Sequence, residues 1–239
     1  MRIVIPMAGY GQRFSDAGYD KIKPLINVLG KPMIERVVQN LNAEDGDTEQ
    51  FIFILNGKAN NHELFNLLNS LKVHKKIIFT PGPTKGAAET ALLAERYIDD
   101  SSLMITNCDQ IIRDYYGSLQ YFCQINNLHA ALGAFISTSP KNSYMSLDDD
   151  GYVNQVKEKV VISNIATNGV HFWLNGLDFV RSAKEMIAAN DLQNGEFYIA
   201  PTFNYLINEG KRVKPFFYNY HYPIGTPEDL KRYEDIQTK

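Results

Sequence analysis

The chain has 239 residues, 44% hydrophobic and 21% charged, which excludes a low-complexity or disordered polymer and allows a sizeable core. A net charge of −3 argues against a nucleic-acid backbone or an anionic membrane as partner, so any anion site must be local, made by a few cations in a cleft. Two cysteines outside any metal-ligand spacing, Cys108 and Cys123, and five scattered histidines speak against a zinc centre or a disulfide scaffold.

The opening "MRIVIPMAG" is too brief for a signal peptide and no apolar run reaches the length of a membrane span, so a reducing cytoplasm is the expected location. Ile3–Met7 is expected as a buried strand. Pro32 opens a helix whose Met33, Ile34, Val37, Val38 and Leu41 share one face. Gln50–Leu55 is the next strand, followed by helical spacing at Leu64, Phe65, Leu67, Leu68 and Leu71. A third strand spans Lys76–Thr80, an alanine-rich helix covers "KGAAETALLAERYI", and Ser102–Thr106 is a fourth strand ending at "NCDQ". Continuous apolar strands alternating with helices predict a parallel sheet covered on both faces.

The second half differs. Ala130–Ile136 is strand-like, and "SYMSLDDDGYVNQVKEK" predicts two alternating strands joined by an Asp-Gly turn. Asp148, Asp149 and Asp150 beside Gly151 are ordinary turn chemistry rather than a metal site. "NGVHFW" is a further strand, with helices at about 176–190 and 195–209. Val213–Tyr218 is a late strand, and "TPEDLKRYEDI" is a closing helix capped by Thr226 with Pro227 in its first turn. With no linker or repeat, residues 1–239 are expected to form one mixed-sheet α/β domain with an inserted hairpin. Trp173, the only tryptophan, is expected in the core.

The long segment from Ala8 to about Lys31, after the first strand, carries the functional signal. It lacks the G-x-G-x-x-G of a dinucleotide site and the G-x-x-x-x-G-K-[ST] of a P-loop. A purely structural loop is one explanation. A nucleoside triphosphate held lengthwise is the other: Ala8, Gly9 and Gly11 leave the backbone bare for phosphate oxygens, Arg13 supplies a permanent charge, and Lys23-Pro24-Leu25 delivers an ammonium from a fixed turn.

"PMAGYGQRF…KIKPLINVLGKPMIERVVQNL" resembles the opening of the nucleotidyltransferases that act on sugar phosphates and related phosphorylated small molecules. "KGAAETALLA", "MITNCDQII", "VKEK", "ATNGVHFW", "GEFYIAPTFNYLINEG" and "IGTPEDLKRYE" resemble later segments of that family in the same order. The resemblance implies a Rossmann-like three-layer fold with a mixed, mainly parallel sheet. It also implies Mg²⁺ dependence and the reaction NTP plus X-phosphate to NDP-X plus pyrophosphate. Residues 1–128 would then bind the nucleotide and residues 129–239 the phosphorylated acceptor.

Within that resemblance Arg13 falls to the leaving phosphates, Lys23 to the α-phosphate and Asp109 to Mg²⁺. Met7, Ala8, Gly9, Gly11, Pro81, Gly86, Ala87 and Asn107 complete the expected nucleotide contacts. Lys159 is expected at the incoming phosphate, with Glu158, Asn168, Gly169 and Glu196 around the acceptor. Two positions depart from the family pattern: Pro223 stands where W-x-D-x-G-T has its aspartate, and Ala200-Pro201 where many members have threonine-aspartate. "GEFYIAP" and "PIGTPEDL" resemble members encoded among capsule and surface-polysaccharide genes, some of which attach CMP to non-sugar phosphates. CTP is therefore expected ahead of UTP or dTTP. A nucleotide-sugar-dependent glycosyltransferase and a non-catalytic nucleotide-binding subunit are the alternatives, and homo-oligomerisation stays open.

Overall fold

The structure, a computed structural model, describes residues 1–9, 11–42, 50–59, 61–112 and 117–238. In chain order its elements are β1 (Arg2–Met7), α1 (Gln12–Asp16), β2 (Asn27–Val28), β3 (Lys31–Pro32), α2 (Met33–Leu41), β4 (Gln50–Leu55), α3 (His62–Ser70), β5 (Lys75–Phe79), α4 (Ala87–Leu92), β6 (Leu103–Ile105) and β7 (Gln110–Ile112). There follow α5 (Gly117–Ile125), β8 (Ala130–Ile136), β9 (Ser143–Leu147), β10 (Val153–Glu158), β11 (Ile165–Trp173), α6 (Gly176–Ala188), α7 (Thr202–Asn208), β12 (Val213–Phe217), β13 (His221–Pro223) and α8 (Pro227–Gln237).

One nine-stranded sheet organises the chain, in the order β10-β9-β11-β6-β1-β4-β5, with β8 against β11 and β12 against β8. Pairings β1–β4, β1–β6 and β4–β5 are parallel, as the apolar runs predict; β11 runs antiparallel to its neighbours. Alternation within each strand divides the core into two layers. Ile3, Ile5, Phe51 and Phe53 pack on one face under α2, α3, α5 and α8. Val4, Ile52 and Ile54 pack on the other under α4, α6 and α7. Trp173 is fully buried in the second layer, its ring stacked 4.5 Å from Phe203.

The feature that opens a site is β11. One edge pairs with β8 over its length, interrupted by an irregularity between Thr167 and His171. The opposite edge pairs with β9 at Ala166–Thr167 and with β6 at His171–Trp173. Residues 168–170 therefore lie where two strands part, and a crevice at such a switch point is where open α/β sheets hold ligands.

Several expected elements shift. Pro32 belongs to β3 and caps α2 rather than entering it. The alanine-rich helix ends at Leu92, with a 3₁₀ turn at Glu95–Tyr97. The helix expected over 195–209 begins only at Thr202, because Phe197 is held by backbone bonds to the α4 entrance: its N–H donates to Lys85 O (2.7 Å) and its carbonyl accepts from Ala88 N (2.9 Å). Asp148 behaves as turn chemistry, its Oδ1 accepting from the N–H groups of Asp150 and Tyr152 at 3.1 and 2.8 Å.

Candidate active site

The glycine segment after β1 is shaped by Lys23. Gly11 takes the left-handed conformation (φ 66°) at the start of α1, and a Cβ there would stand 2.9 Å from Lys23 Cβ. Both conditions disfavour a side chain. Phe14 is buried and meets Tyr19 edge-on at 5.1 Å, which fixes the short α1 and with it the exposed Arg13. Pro24 and Leu25, also buried, pin the 3₁₀ turn that presents Lys23. Leu29 and Gly30, both at positive φ, make the two-residue turn between β2 and β3, leading the chain into α2.

Lys23 Nζ donates to Asp109 Oδ2, an ion pair with side chains 23% and 19% exposed. Burial opposes the ammonium's charge, but the adjacent Asp109 carboxylate outweighs it and holds the Lys23 pKa above its ordinary value. Arg13 is near enough for its charge to act against Lys23. Asp109 sits just before β7, which pairs with β13. Its carbonyl accepts from Ile224 N at 2.9 Å, and a Cβ on Gly225 would reach within 2.4 Å of its Oδ2.

Two clefts lie on this side of the sheet, sharing Ala87 between them. The larger, about 810 Å³, is lined by Arg13, Asn107, Asp109, Glu158, Asn168 and Gly169 among others. The smaller, about 430 Å³, is lined by Ala8, Gly9, Gly86 and Glu196, with Gly82 and Pro83; Ala87 borders both. Gly86 cannot carry a side chain, because a Cβ would fall 2.5 Å from Phe197 O. Asn107 lies over Gly169, whose Cβ would come within 2.4 Å of Asn107 Nδ2.

On the far wall of the larger cleft, Glu158 is buried at the end of β10. It accepts a hydrogen bond from Ser143 Oγ, while burial pushes its pKa up. Lys159, at φ 55°, donates to Tyr198 OH (2.6 Å) and lies 4.7 Å from the centre of that ring, a bond that raises its pKa. Asn168 is 7% exposed; its Oδ1 accepts from Val170 N at 3.1 Å and its Nδ2 has no partner among the described residues.

Not every expected contact reaches a cleft. Gly11, Lys23 and Lys159 line neither, Met7 is buried in the core, Pro81 is exposed and outside both cleft linings, and Glu196 borders the smaller cleft with the glycine segment rather than the larger one. Conversely, sequence reasoning omitted Gln110, His221, Asp229 and Arg232, which line the larger cleft. The early three-residue strand β7 and the late β13 carry the first two. Only the pairing of His221 with Ile112 and of Pro223 with Gln110 brings them to one place.

Among the described residues no three of His, Cys, Asp and Glu cluster as a metal site. Asp109 offers a cleft-lining carboxylate beside Gly225, in the same cleft as Glu158 and Asp229. That donor set fits Mg²⁺, which keeps several waters and takes one or two carboxylates plus substrate phosphates.

Residues 3–238 match the family model described as nucleotidyl transferase. Over 236 residues the chain is 26% identical to the bifunctional protein GlmU of Methanocaldococcus jannaschii, covering 96% of this chain and 52% of that protein, so it spans about half the length of that curated relative. Its fold is shared with the nucleoside-diphosphate-sugar pyrophosphorylase from Vibrio cholerae RC9 (TM-score 0.84, 24% identity, 98% of this chain and 99% of that one). It is shared too with the inositol-1-phosphate CTP transferase from T. maritima (TM-score 0.77, 16% identity, 100% and 95%). No helix among the described residues is long and apolar enough to cross a membrane.

Proposed function

The chain belongs to the nucleotidyl transferase family, and from that membership we propose that it moves a nucleoside monophosphate from an NTP to a phosphorylated small molecule, releasing pyrophosphate. The observation that carries this is the Lys23–Asp109 pair, with Arg13 near enough to act on the charge of Lys23: Asp109 and Arg13 line the larger cleft, which shares Ala87 with the smaller. One cleft has bare backbone suited to a nucleotide, the other polar side chains suited to an acceptor.

A phosphate oxygen of the acceptor attacks the α-phosphorus while the bond to the β-phosphate oxygen breaks, and pyrophosphate leaves on the opposite side. Two anions must approach, so catalysis rests on position and charge. Lys23 stabilises charge on the α-phosphate and Arg13 on the departing phosphates. Both are held by packed turns, so little reorganisation is needed when charge shifts. Ala8, Gly9, Gly86 and Ala87 admit the nucleotide, with Asn107 at the boundary. Glu158, Lys159, Asn168 and Gly169 hold the acceptor, for which Lys159 would exchange Tyr198 for the incoming phosphate. Asp109 would hold Mg²⁺, which when bound supplies further neutralisation of phosphate charge. No nucleophilic side chain is required.

CTP is the proposed donor ahead of UTP or dTTP, and the product a precursor for capsule or surface polysaccharide. The late segments "GEFYIAP" and "PIGTPEDL" support that choice. The test is pyrophosphate release with Mg²⁺, offering CTP, UTP, dTTP, ATP and GTP against phosphorylated sugars, alcohols and amines. Release with a pyrimidine nucleotide supports the proposal, and a strict purine preference overturns the choice of base. Nucleotide binding with no pyrophosphate from any pair would favour a non-catalytic subunit. Release of nucleoside diphosphate from a nucleotide sugar would favour a glycosyltransferase.

A further inference from the structure

Beside Asp109 a chain of polar groups crosses from the sheet to the wall of the larger cleft. Gln110 is 4% exposed, and its Nε2 donates to Thr106 Oγ1 at 3.0 Å. That bond leaves the Gln110 Oε1 to face His221 Nε2, also at 3.0 Å. An amide oxygen only accepts, so Nε2 of His221 carries the proton and Nδ1 of the neutral ring is a lone-pair acceptor. Nδ1 has no hydrogen-bond partner among the described residues, and His221 lines the cleft. The ring is further fixed by Phe135, 5.4 Å away between centroids.

Asn168 supplies the complement. Its Oδ1 is committed to Val170 N and occupies the space that a Cβ on Gly133 would need, 2.3 Å away. Its unpartnered Nδ2 is a buried donor on the same cleft. Gly133 and Phe135 lie two apart on β8 and so share a face, about 7 Å from one another. The residues packed on them, Asn168 and His221, are thus a fixed donor and a fixed acceptor that one small molecule spans. A buried polar group left unpaired is costly, which makes Asn168 Nδ2 a strong selector of what can bind, while the half-buried His221 presents its Nδ1 at the cleft.

The geometry points to His221, oriented by Gln110 and Thr106, as a specificity-determining residue: its Nδ1 accepts a hydrogen bond from an O–H or N–H of the acceptor, with Asn168 Nδ2 donating to a neighbouring oxygen. The acceptor class is therefore a phosphorylated molecule whose non-phosphate part carries a donor hydrogen. Phosphocholine, whose quaternary nitrogen has none, is disfavoured. This rests on the transferase reading for its kinetic consequence, though not for binding.

Two measurements test it on the full chain. The first is ¹⁵N NMR of the imidazoles, with the His221 signals identified by their loss in His221→Gln, recorded alone and with glucose 1-phosphate, inositol 1-phosphate, phosphoethanolamine and phosphocholine. The free protein should show the Nε2–H tautomer, and a donor-bearing probe should move the Nδ1 resonance where phosphocholine does not. An Nδ1–H tautomer, or an Nδ1 signal unmoved by every probe, overturns the assignment. The second is pyrophosphate release with CTP. His221→Gln keeps a donor for Gln110 and lacks the acceptor at the δ position. Its KM for the donor-bearing acceptor should rise about tenfold, the worth of one hydrogen bond in a shielded site, with KM for CTP within about twofold. An unchanged acceptor KM, or an equal rise for CTP, overturns it. A moved Nδ1 signal without pyrophosphate from any pair would sink the transferase reading and leave this contact standing.

Discussion

Lys23 and Asp109, 86 positions apart in sequence, form an ion pair that ties the loop after β1 to the end of the β6 segment. Each half depends on bare backbone nearby, Gly11 for Lys23 and Gly225 for Asp109. The pair is thus a joint between the segment that would carry the triphosphate and the one that would face the acceptor.

Removing either charge should cost turnover far more than binding. Asp109→Asn and Lys23→Met are each expected to lower kcat by about 10²–10³-fold, the scale of losing one preorganised electrostatic contact, measured as pyrophosphate release. Survival of activity and Mg²⁺ dependence in Asp109→Asn would refute its role. The stability side has a definite sign. Because the folded pKa of Lys23 lies above its ordinary value, its contribution is complete below a pH of about 10.4 and disappears as the pH rises through the folded value. Urea midpoints should therefore show no effect of the Lys23 titration in the neutral range and a loss of its contribution in alkali.

Gly225→Ala probes the same joint without touching a charge. The added methyl would sit 2.4 Å from Asp109 Oδ2, and the carboxylate cannot simply swing away because Lys23 holds that oxygen. The expected outcome is a kcat at least about tenfold lower, equivalent to about 1.4 kcal/mol, with a thermal midpoint within a few degrees of the parent. Unaltered kcat would show that Asp109 tolerates displacement and does not act from a fixed position.

Much of this was legible in the sequence, and the omissions share a cause. The apolar runs of β1, β4 and β6 and the 3.6-residue spacing of α2 marked themselves, since Met33, Ile34, Val37, Val38 and Leu41 are all buried. Elements with one or two inward residues did not. The five-residue α1 buries only Phe14, and β13 buries no side chain fully. The helix expected over 195–209 begins late because backbone bonds to Lys85 and Ala88 dictate residue 197, a tertiary constraint invisible to periodicity. The glycine loop showed through its residue types. That Asn107 lies over Gly169, or that His221 meets Gln110, depends on strand pairing between distant segments.

His171 makes acid stability a further readout of the sheet's centre. Its ring is buried beside Trp173 and Phe203, and burial pushes its pKa down to about 4 against the opposing pull of backbone groups at Ile105 and Gly169. A depressed folded pKa means that the unfolded chain takes up a proton the folded one refuses. Stability should accordingly be complete above a pH of about 6.5 and fall as the pH drops toward 4, by roughly 3 kcal/mol from this group. His171→Phe removes the titration and keeps the shape. Chemical denaturation between pH 7 and pH 4 should show a shallower acid loss in the variant, and parallel curves would contradict the assignment.

Pro223 is the residue that most separates this cleft from the pattern its sequence resembles. It pairs with Gln110 across β13 and β7, one residue from the Ile224 N–H that bonds to the Asp109 carbonyl, and it lines the same cleft as the Asp109 carboxylate. Proline offers no backbone donor, so replacing it removes no hydrogen bond from this short ladder. A carboxylate introduced here would lie near Asp109 and provide a second oxygen ligand of the kind Mg²⁺ accepts. Pro223→Asp is thus expected to lower the Mg²⁺ concentration for half-maximal pyrophosphate release by about tenfold, equivalent to about 1.4 kcal/mol of ion binding. Without the ion the same change places two like charges close together, so the thermal midpoint in EDTA should fall below that of the parent and recover on adding Mg²⁺. If half-saturation by Mg²⁺ is unchanged while EDTA still lowers the midpoint, the new carboxylate faces Asp109 but not the ion. Magnesium would then have to be held elsewhere in the cleft.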